Sequence, residues 1–480
     1  MITKQTFLTA LGCDTAGWYA ARAGPEELGP GLEWRFHVGA EIGRLARQQL
    51  GRGVLLPFGP IETALNATAE AMGDPAKRLL FEATFTAAPF VARADALRRT
   101  GSGWEVVEAK SALAPEDGVA RDEHLDDLAF TAFVAMASGV AIERCTLMFV
   151  SRDCRLGAEG LTELEVTDAV LHRVATFTER ASSIAAACTA TVRPAPTLQF
   201  ICRKCEFFAS DCLGKGIPDP LFLLPRLSEK RFEEMKQYQR LSAVPVGANL
   251  TAPQRRVFDV MRSGEPSIVG SVLARLNELV WPVYYLDFEA VQPALPWFAD
   301  CPPYEVMPFQ FSIHVSDRLG QEPVHHDYLA PIGGDWRREL ASALLERLGL
   351  SGSIVVYASY EQQRLAAMAT TFPELAGSIH AIIDRLVDLE PIVRHGYCHP
   401  AFLGRTSIKK VLPVVAPELR YSATDVGNGD DAAGLFALMT VGRRDPHDYA
   451  VYRRQLLEYC NLDTLAMVKL HRALQALILG

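Results

Sequence analysis

One run of nine residues, VYYLDFEAV at 283–291, constrains the fold more than any other stretch. Its β-branched and aromatic content predicts a buried strand, yet Asp287 and Glu289 stand two apart inside it. Side chains two apart on a strand share a face, so both carboxyls must lie on one side of a sheet. Burying paired carboxylates is costly unless a counter-charge meets them. The fold has to supply that counter-charge.

Further acids recur where a sheet would gather them. The strand SIVVY runs into ASYEQQRL, placing Glu361 at the start of a helix just beyond a strand, and in α/β sheets sites assemble at the carboxyl ends of strands. LLEYCNLDTLAM puts Tyr459 and Asp463 four apart, on one face of a long helix. Asp388, in IIDRLVDLEPIV, is a fallback ligand should Glu361 point away. Lys409 and Lys410, in TSIKKVLP, either meet a phosphate backbone or begin a solvated helix. Mg²⁺ or Mn²⁺ would neutralise such acids, and two such ions ~3.5–4 Å apart stabilise both oxygens of a phosphodiester displacement. A tyrosine one turn from the last acid is placed to orient the attacking water.

A second constellation lies earlier. FVARADALRRTGSGWEVVEAKSAL carries Asp95, then Glu108-Ala109-Lys110 after a hairpin turn at Gly101 and Gly103. An acid on one strand and E-x-K on the next is a nuclease arrangement, with Asp95 and Glu108 on a divalent metal and Lys110 on the water or the developing charge. The plain alternative is two solvated acids and a snorkelling lysine. ICRKCEFFASDCLGK supplies Cys202, Cys205 and Cys212, with Cys13 near the other end of the same half. Four thiolates ligate a 4Fe–4S cluster or Zn²⁺. Cys145, Cys154, Cys188, Cys301, Cys398 and Cys460 read as small buried residues.

Pattern divides the 480 residues into three. Residues 1–215 are an α/β unit, with helices expected at 33–50, 60–80, 122–138 and 168–190 and strand-like runs at 83–97, 103–110 and 145–151. Residues 216–280 read as a helical connector, made locally basic by Lys230, Arg231, Lys236, Arg240, Arg255 and Arg256. Residues 281–480 restart an α/β order, with strands at 283–291, 307–317 and 353–359 and helices at 336–348, 361–371 and 448–477. A net charge of −9 excludes a generally basic surface but not a local nucleic-acid groove. No apolar run reaches the ~18 residues of a membrane span. FLTAL, near the start, is shorter than the ~7–15 residues of a signal core, so the expected location is cytoplasmic.

The C-terminal motifs resemble those of DnaQ-like 3′–5′ exonucleases of the DEDD group. Asp287-Phe288-Glu289 matches their D-x-E and Tyr459-x-x-x-Asp463 their Y-x-x-x-D. Glu361 stands where the group usually has Asp, and Glu458 where its histidine subclass would need His. The resemblance implies an RNase H-like fold, with Asp287, Glu289, Glu361 and Asp463 on Mg²⁺ or Mn²⁺ and Tyr459 beside them. Residues 8–215 resemble RecB-like PD-(D/E)XK nucleases, with a restriction-endonuclease-like fold. That likeness implies a 4Fe–4S cluster on Cys13, Cys202, Cys205 and Cys212 and an active site of Asp95, Glu108 and Lys110. Two positions depart from it: Gly43 replaces a histidine, and Thr131 replaces the glutamine of Q-x-x-x-Y.

The whole chain resembles a bacterial family that fuses the two halves, through YYLDFEAVQPALPWF, MPFQFSIH, VVYASYEQQRLAAMA, VDLEPIVRHGYCHP and SIKKVLPVVAPELRY. The expected function is a metal-dependent nuclease acting on single-stranded or end-containing DNA in repair, recombination or defence. An RNA exonuclease and a non-catalytic iron–sulfur scaffold with decayed sites are the alternatives.

Overall fold

Two separate sheets form where the apolar alternation is strongest, in a computed structural model that describes residues 1–24, 28–419 and 426–479. The first begins with α1 (Lys4–Gly12), α2 (Asp14–Ala20), α3 (Pro30–Leu50), β1 (Val54–Leu55) and α4 (Ile61–Gly73). Strands β2 (Leu79–Ala87), β3 (Phe90–Arg99) and β4 (Trp104–Leu113) follow, then α5 (Asp122–Ala137), β5 (Ile142–Val150), β6 (Leu161–Glu165) and α6 (Thr167–Thr189). The strands lie in chain order, with β1/β2 and β4/β5 parallel and the other pairs antiparallel. The parallel pair needs a crossover, and α5 is that crossover. Phe7, Phe85, Phe90, Phe130, Phe133 and Phe177 fill the face beneath α1, α5 and α6. On the other face α3 packs Ile42, Leu45 and Ala46 against Phe81, Val107 and Met148.

Short helices α7 (Phe207–Ser210), α8 (Glu229–Met235), α9 (Ala252–Ser263) and α10 (Gly270–Leu273), with β7 (Ser267–Ile268), connect to the second sheet. They gather a small core of their own around Leu221, Phe232, Leu241 and Phe258.

The second sheet comprises β8 (Val283–Val291), β9 (Met307–Ser316), β10 (Val324–Leu329), β11 (Ile354–Val356) and β12 (Leu386–Asp388). Between them lie α11 (Arg337–Leu348), α12 (Tyr360–Thr371) and α13 (Ala376–Ile383). After β12 come α14 (Leu389–Gly396), β13 (Tyr397–Cys398), α15 (Ile408–Val415), α16 (Gly429–Thr440) and α17 (Tyr449–Leu479). The strand order is β10-β9-β8-β11-β12, so the first strand is central. It runs antiparallel to β9 and parallel to β11. Tyr284, Leu286 and Phe288 face the core under α11 and α16, while Val283 and Tyr285 face α17. The fold is mixed α/β throughout, and no described helix is long and apolar enough to cross a membrane.

The two sheets meet through α3 and α16. A Cβ on Gly434 would lie 2.4 Å from the Pro30 carbonyl oxygen, so only glycine permits this approach. Arg444 then grips Glu33 with two bonds of 2.8 and 2.7 Å. Ala294, just past β8, packs into the core beneath α3.

Three local expectations are corrected. The helix expected over 60–80 ends at Gly73, because Pro75 forces Asp74 into an extended conformation. The single run 83–97 is part of two strands that turn at Ala88-Pro89. Strands β6, β10 and β12 escape the apolar pattern: β6 and β10 are polar edge strands and β12 has three residues. Arg420 and Tyr421, the end of SIKKVLPVVAPELRY, lie outside the described residues.

Gly434→Ala should destabilise the protein by about 1–3 kcal/mol of overpacking, despite alanine's ~1 kcal/mol advantage within a helix. A thermal melt checks this. An unchanged midpoint would mean that the α3–α16 contact is loose.

Candidate metal centre

Because β8 turns Val283 and Tyr285 toward α17, its period of two carries Asp287 and Glu289 to that same face. The helix is pinned there by Tyr285 Oη and His471 Nδ1, 2.7 Å apart. One carboxylate oxygen each from Asp287 and Glu289 and the Cys460 sulfur lie within 4.8 Å of one another, a set able to hold a metal ion. Glu361, in the first turn of α12, is 2% exposed, and its Oε2 is buried with no hydrogen-bond partner. Asp463 acts on all three acids through its charge. The structure thus brings together Asp287, Glu289, Glu361 and Asp463, with Tyr459 buried one turn away on the same helix.

The electrostatics are those of crowded anions. Burial raises the Asp287 carboxyl well above its usual range, and the charges of Asp463, Glu361 and Glu289 raise it further. Glu289 rises for the same reasons, burial first and Asp463 next, against the opposing charge of Lys409. Burial, with Asp388 and Asp463, pushes Glu361 up to about 8. Burial, with Asp287, Glu289 and Asp463, also raises the Cys460 thiol. It therefore stays protonated and donates to Asp287 Oδ2 at 3.5 Å, leaving the carboxylates as the hard donors. Lys409, exposed in the first turn of α15, donates from Nζ to Tyr459 Oη at 2.9 Å.

With Glu361 turned inward, Asp388 is not needed as the fallback ligand and serves the backbone. Its Oδ1 accepts from Ala358 N at 2.8 Å and Glu390 N at 2.9 Å, capping α14. The first bond holds Ala358 at φ 87°, in the left-handed region, and sets the turn that presents Glu361. Cys460, expected only as a buried filler, belongs to the acidic cluster. The one signal for it was its place beside Tyr459 in EYCNLD.

The N-terminal acids are also brought together, but among lysines. Asp95 Oδ2 accepts from Ala109 N at 2.8 Å, and burial together with Glu108 lifts its carboxyl to about 7. Glu108 Oε1 accepts from Lys4 Nζ at 2.6 Å and Lys110 Nζ at 3.2 Å. Burial would raise Glu108, but those two lysines outweigh it and hold the carboxyl below its usual range. Lys110 also bonds Asp127, and Lys4 lies 3.8 Å from it. Glu82 stands opposite Asp95 at φ 62°, with Arg47 at 3.6 Å. Arg47 also lies 3.6 Å from where a Cβ on Gly43 would be, so it covers the position of the expected histidine. Thr131 is fully buried and bonds back to the Asp127 carbonyl at 3.4 Å. Sequence reasoning missed Lys4, Glu82 and Asp127, since nothing in the chain showed where α1 would dock.

Cys13 sits between α1 and α2, which are fastened to the end of α6 by Trp18 Nε1 on Ala190 O (2.8 Å) and Arg22 on Cys188 O (2.8 Å). That docking carries Cys13 to the turns holding Cys202, Cys205 and Cys212. Burial raises the Cys202 thiol, and the neighbouring Cys13, Cys205 and Cys212 add to it. No three of these sulfurs lie within 4.8 Å of one another. A single zinc, with bonds of ~2.3 Å, would draw its thiolates to ~3.8 Å.

Two outcomes follow for purified protein. The folded acids of the C-terminal cluster hold protons that the unfolded chain releases near its ordinary carboxylate values. Stability without metal should therefore fall as pH rises from about 4.5 to 8. Mn²⁺ should raise the melting midpoint more at pH 8.5 than at pH 5.5, and Asp287→Asn should weaken both effects; an Mn²⁺ response indifferent to pH and to that variant would contradict them. The 4Fe–4S cluster expected from the sequence on the four cysteines should give anaerobically purified protein a brown colour with broad visible absorbance, lost in Cys205→Ser. Colourless protein carrying one zinc per chain would contradict the polynuclear set.

Residues 284–407 match a family described as "Domain of unknown function (DUF2779)". The match includes Asp287, Glu289, Glu361 and Asp388 and stops short of Tyr459 and Asp463. The chain is also similar to an "Uncharacterized protein MG366 homolog" of Mycoplasma pneumoniae (strain ATCC 29342 / M129 / Subtype 1), at 29% identity over 204 residues. That likeness covers 38% of this chain and 31% of the relative, so the chain matches about a third of the relative's length. No solved structure matches.

Proposed function

We propose that the chain is a divalent-metal-dependent hydrolase of nucleic-acid phosphodiester bonds, its C-terminal half a 3′–5′ exonuclease on single-stranded or end-containing DNA. The observation that carries this reading is the buried gathering of Asp287, Glu289 and Glu361 with Asp463, their proton affinities raised and one Glu361 oxygen unsatisfied. The sheet order supports an RNase H-like, DnaQ-type assignment. The D-x-E acids lie in the second half of the central strand, just beyond its parallel pairs with β11 and opposite the antiparallel β9.

Bound Mg²⁺ or Mn²⁺ supplies positive charge at the attacking and leaving oxygens of a phosphodiester. In this chain Asp287, Glu289, Glu361 and Asp463 are the residues to hold it. The Cys460 thiol orients Asp287, and Asp388 fixes the turn that aims Glu361. Tyr459, its hydroxyl held by Lys409, stands on the acidic face where it can orient water.

For the N-terminal half, Asp95 on β3 and E-x-K on β4 support the PD-(D/E)XK reading of the fold. One observation favours a second reading of its centre: Lys4 and Lys110 already meet Glu108, the part a cation would play. That half then contacts DNA or holds shape, and no reaction step is assigned to it. Four thiols brought near one another, Cys13 with Cys202, Cys205 and Cys212, suit a 4Fe–4S cluster, with zinc as the alternative.

Assays on end-labelled single-stranded DNA and RNA with Mn²⁺ test the proposal. Wild type should shorten DNA from the 3′ end. Asp287→Ala should lose at least about a hundredfold, as expected when several kcal/mol of charge stabilisation disappear, while Lys110→Ala keeps most activity. Full activity in Asp287→Ala would end the reading, and cleavage of RNA alone would move the substrate to RNA.

A further inference from the structure

A cavity of about 740 Å³ lies between the connector and the second sheet's helices. Its basic lining consists of Arg226, Arg256, Arg394, Arg405 and His395, and no acid lines it, in a chain of net charge −9. Its apolar part comes from Val257, Tyr397 and Phe402. The amino end of α9, a helix of 12 residues, adds its positive pole through Thr251 and Ala252. Such a mixture, apolar with a few placed cations, is the chemistry of a site for an anion with a flat organic part.

The arginines divide into two kinds. Arg256 is committed to the wall, donating to the carbonyls of Arg394 (3.1 Å), His395 (2.5 Å) and Ser267 (3.0 Å). Arg394 is paired with Glu390 at 2.5 Å. Arg226 and Arg405 are exposed and have no side-chain hydrogen bond or ion pair among the described residues. Arg226 is also held at φ 50°, a conformation that costs a non-glycine residue energy.

The cavity is linked to the acidic cluster along the chain. Gly404, Arg405 and Thr406 line it, and the same segment runs straight into α15, whose Lys409 bonds Tyr459. The Thr406 carbonyl also accepts from Tyr357 Oη, four residues before Glu361. Four residues of chain span at most ~14 Å, a distance of a few nucleotides.

We propose that this cavity is a subsite for single-stranded nucleic acid. It takes a base against its apolar floor and the flanking phosphates on Arg226 and Arg405, and holds the strand whose end reaches Asp287 and Glu289. The direction of the strand rests on the hydrolase reading; the binding itself does not.

Full-length protein in EDTA is titrated with a fluorescein-labelled oligothymidylate, alone and against thymidine monophosphate. The double variant Arg226→Gln/Arg405→Gln should bind the oligonucleotide about tenfold more weakly. Its slope of log K against log salt should fall by about 1.4, from two phosphate contacts at ~0.7 each. Both side chains are exposed, and an unchanged melt verifies the fold. Equal affinity and equal slope in wild type and variant would overturn the proposal, as would arginine-dependent binding of the mononucleotide without the strand. Arginine-dependent oligonucleotide binding by a protein that cleaves nothing with Mn²⁺ would uphold the subsite and end the hydrolase reading.

Discussion

Mutual repulsion among the carboxyls beneath α17 is the constraint on which the C-terminal half depends. Asp287 and Glu289 are fixed to one face by the strand period, Asp463 arrives on the helix, and Glu361 is aimed inward by a turn that Asp388 holds. Each raises the proton affinity of its neighbours, and Lys409 opposes the charge of Glu289. Such a cluster is stable only with protons or with cations. A protein that merely needed stability would have filled this position with apolar side chains.

The N-terminal half makes the contrast instructive. It too buries acids on adjacent strands, yet Lys4 and Lys110 converge on Glu108, and Asp127 completes the balance. Two centres with similar acid motifs therefore differ in how charge is met. At the C-terminal cluster Lys409 opposes Glu289 from beside Tyr459, whereas in the N-terminal half two lysines bond Glu108 directly. This is why the catalytic proposal is attached to α17 and β8 and not to β3 and β4.

Much of this was legible in the sequence because periodicity carries it. The two-residue spacing in VYYLDFEAV and the four-residue spacing of Tyr459 and Asp463 each specify a face, and the structure places both pairs on facing surfaces. Glu361 was legible as an acid after a strand. Cys460, Lys4 and Asp127 were not, because their roles come from the docking of distant helices rather than from any local pattern. Polar edge strands such as β10 were missed for a related reason: with one side open to water, the apolar alternation that marks a strand is absent. The capping role of Asp388 was not legible, because an acid that caps a helix and an acid that binds metal look alike until their hydrogen bonds are known.

Anomalous diffraction from crystals of the full chain soaked in Mn²⁺ tests the central claim most directly. The account predicts a manganese peak between the carboxylates of Asp287 and Glu289, within bonding distance of Asp463 or Glu361, and none beside Glu108. A peak at Glu108 with Lys4 displaced, and none beneath α17, would contradict it.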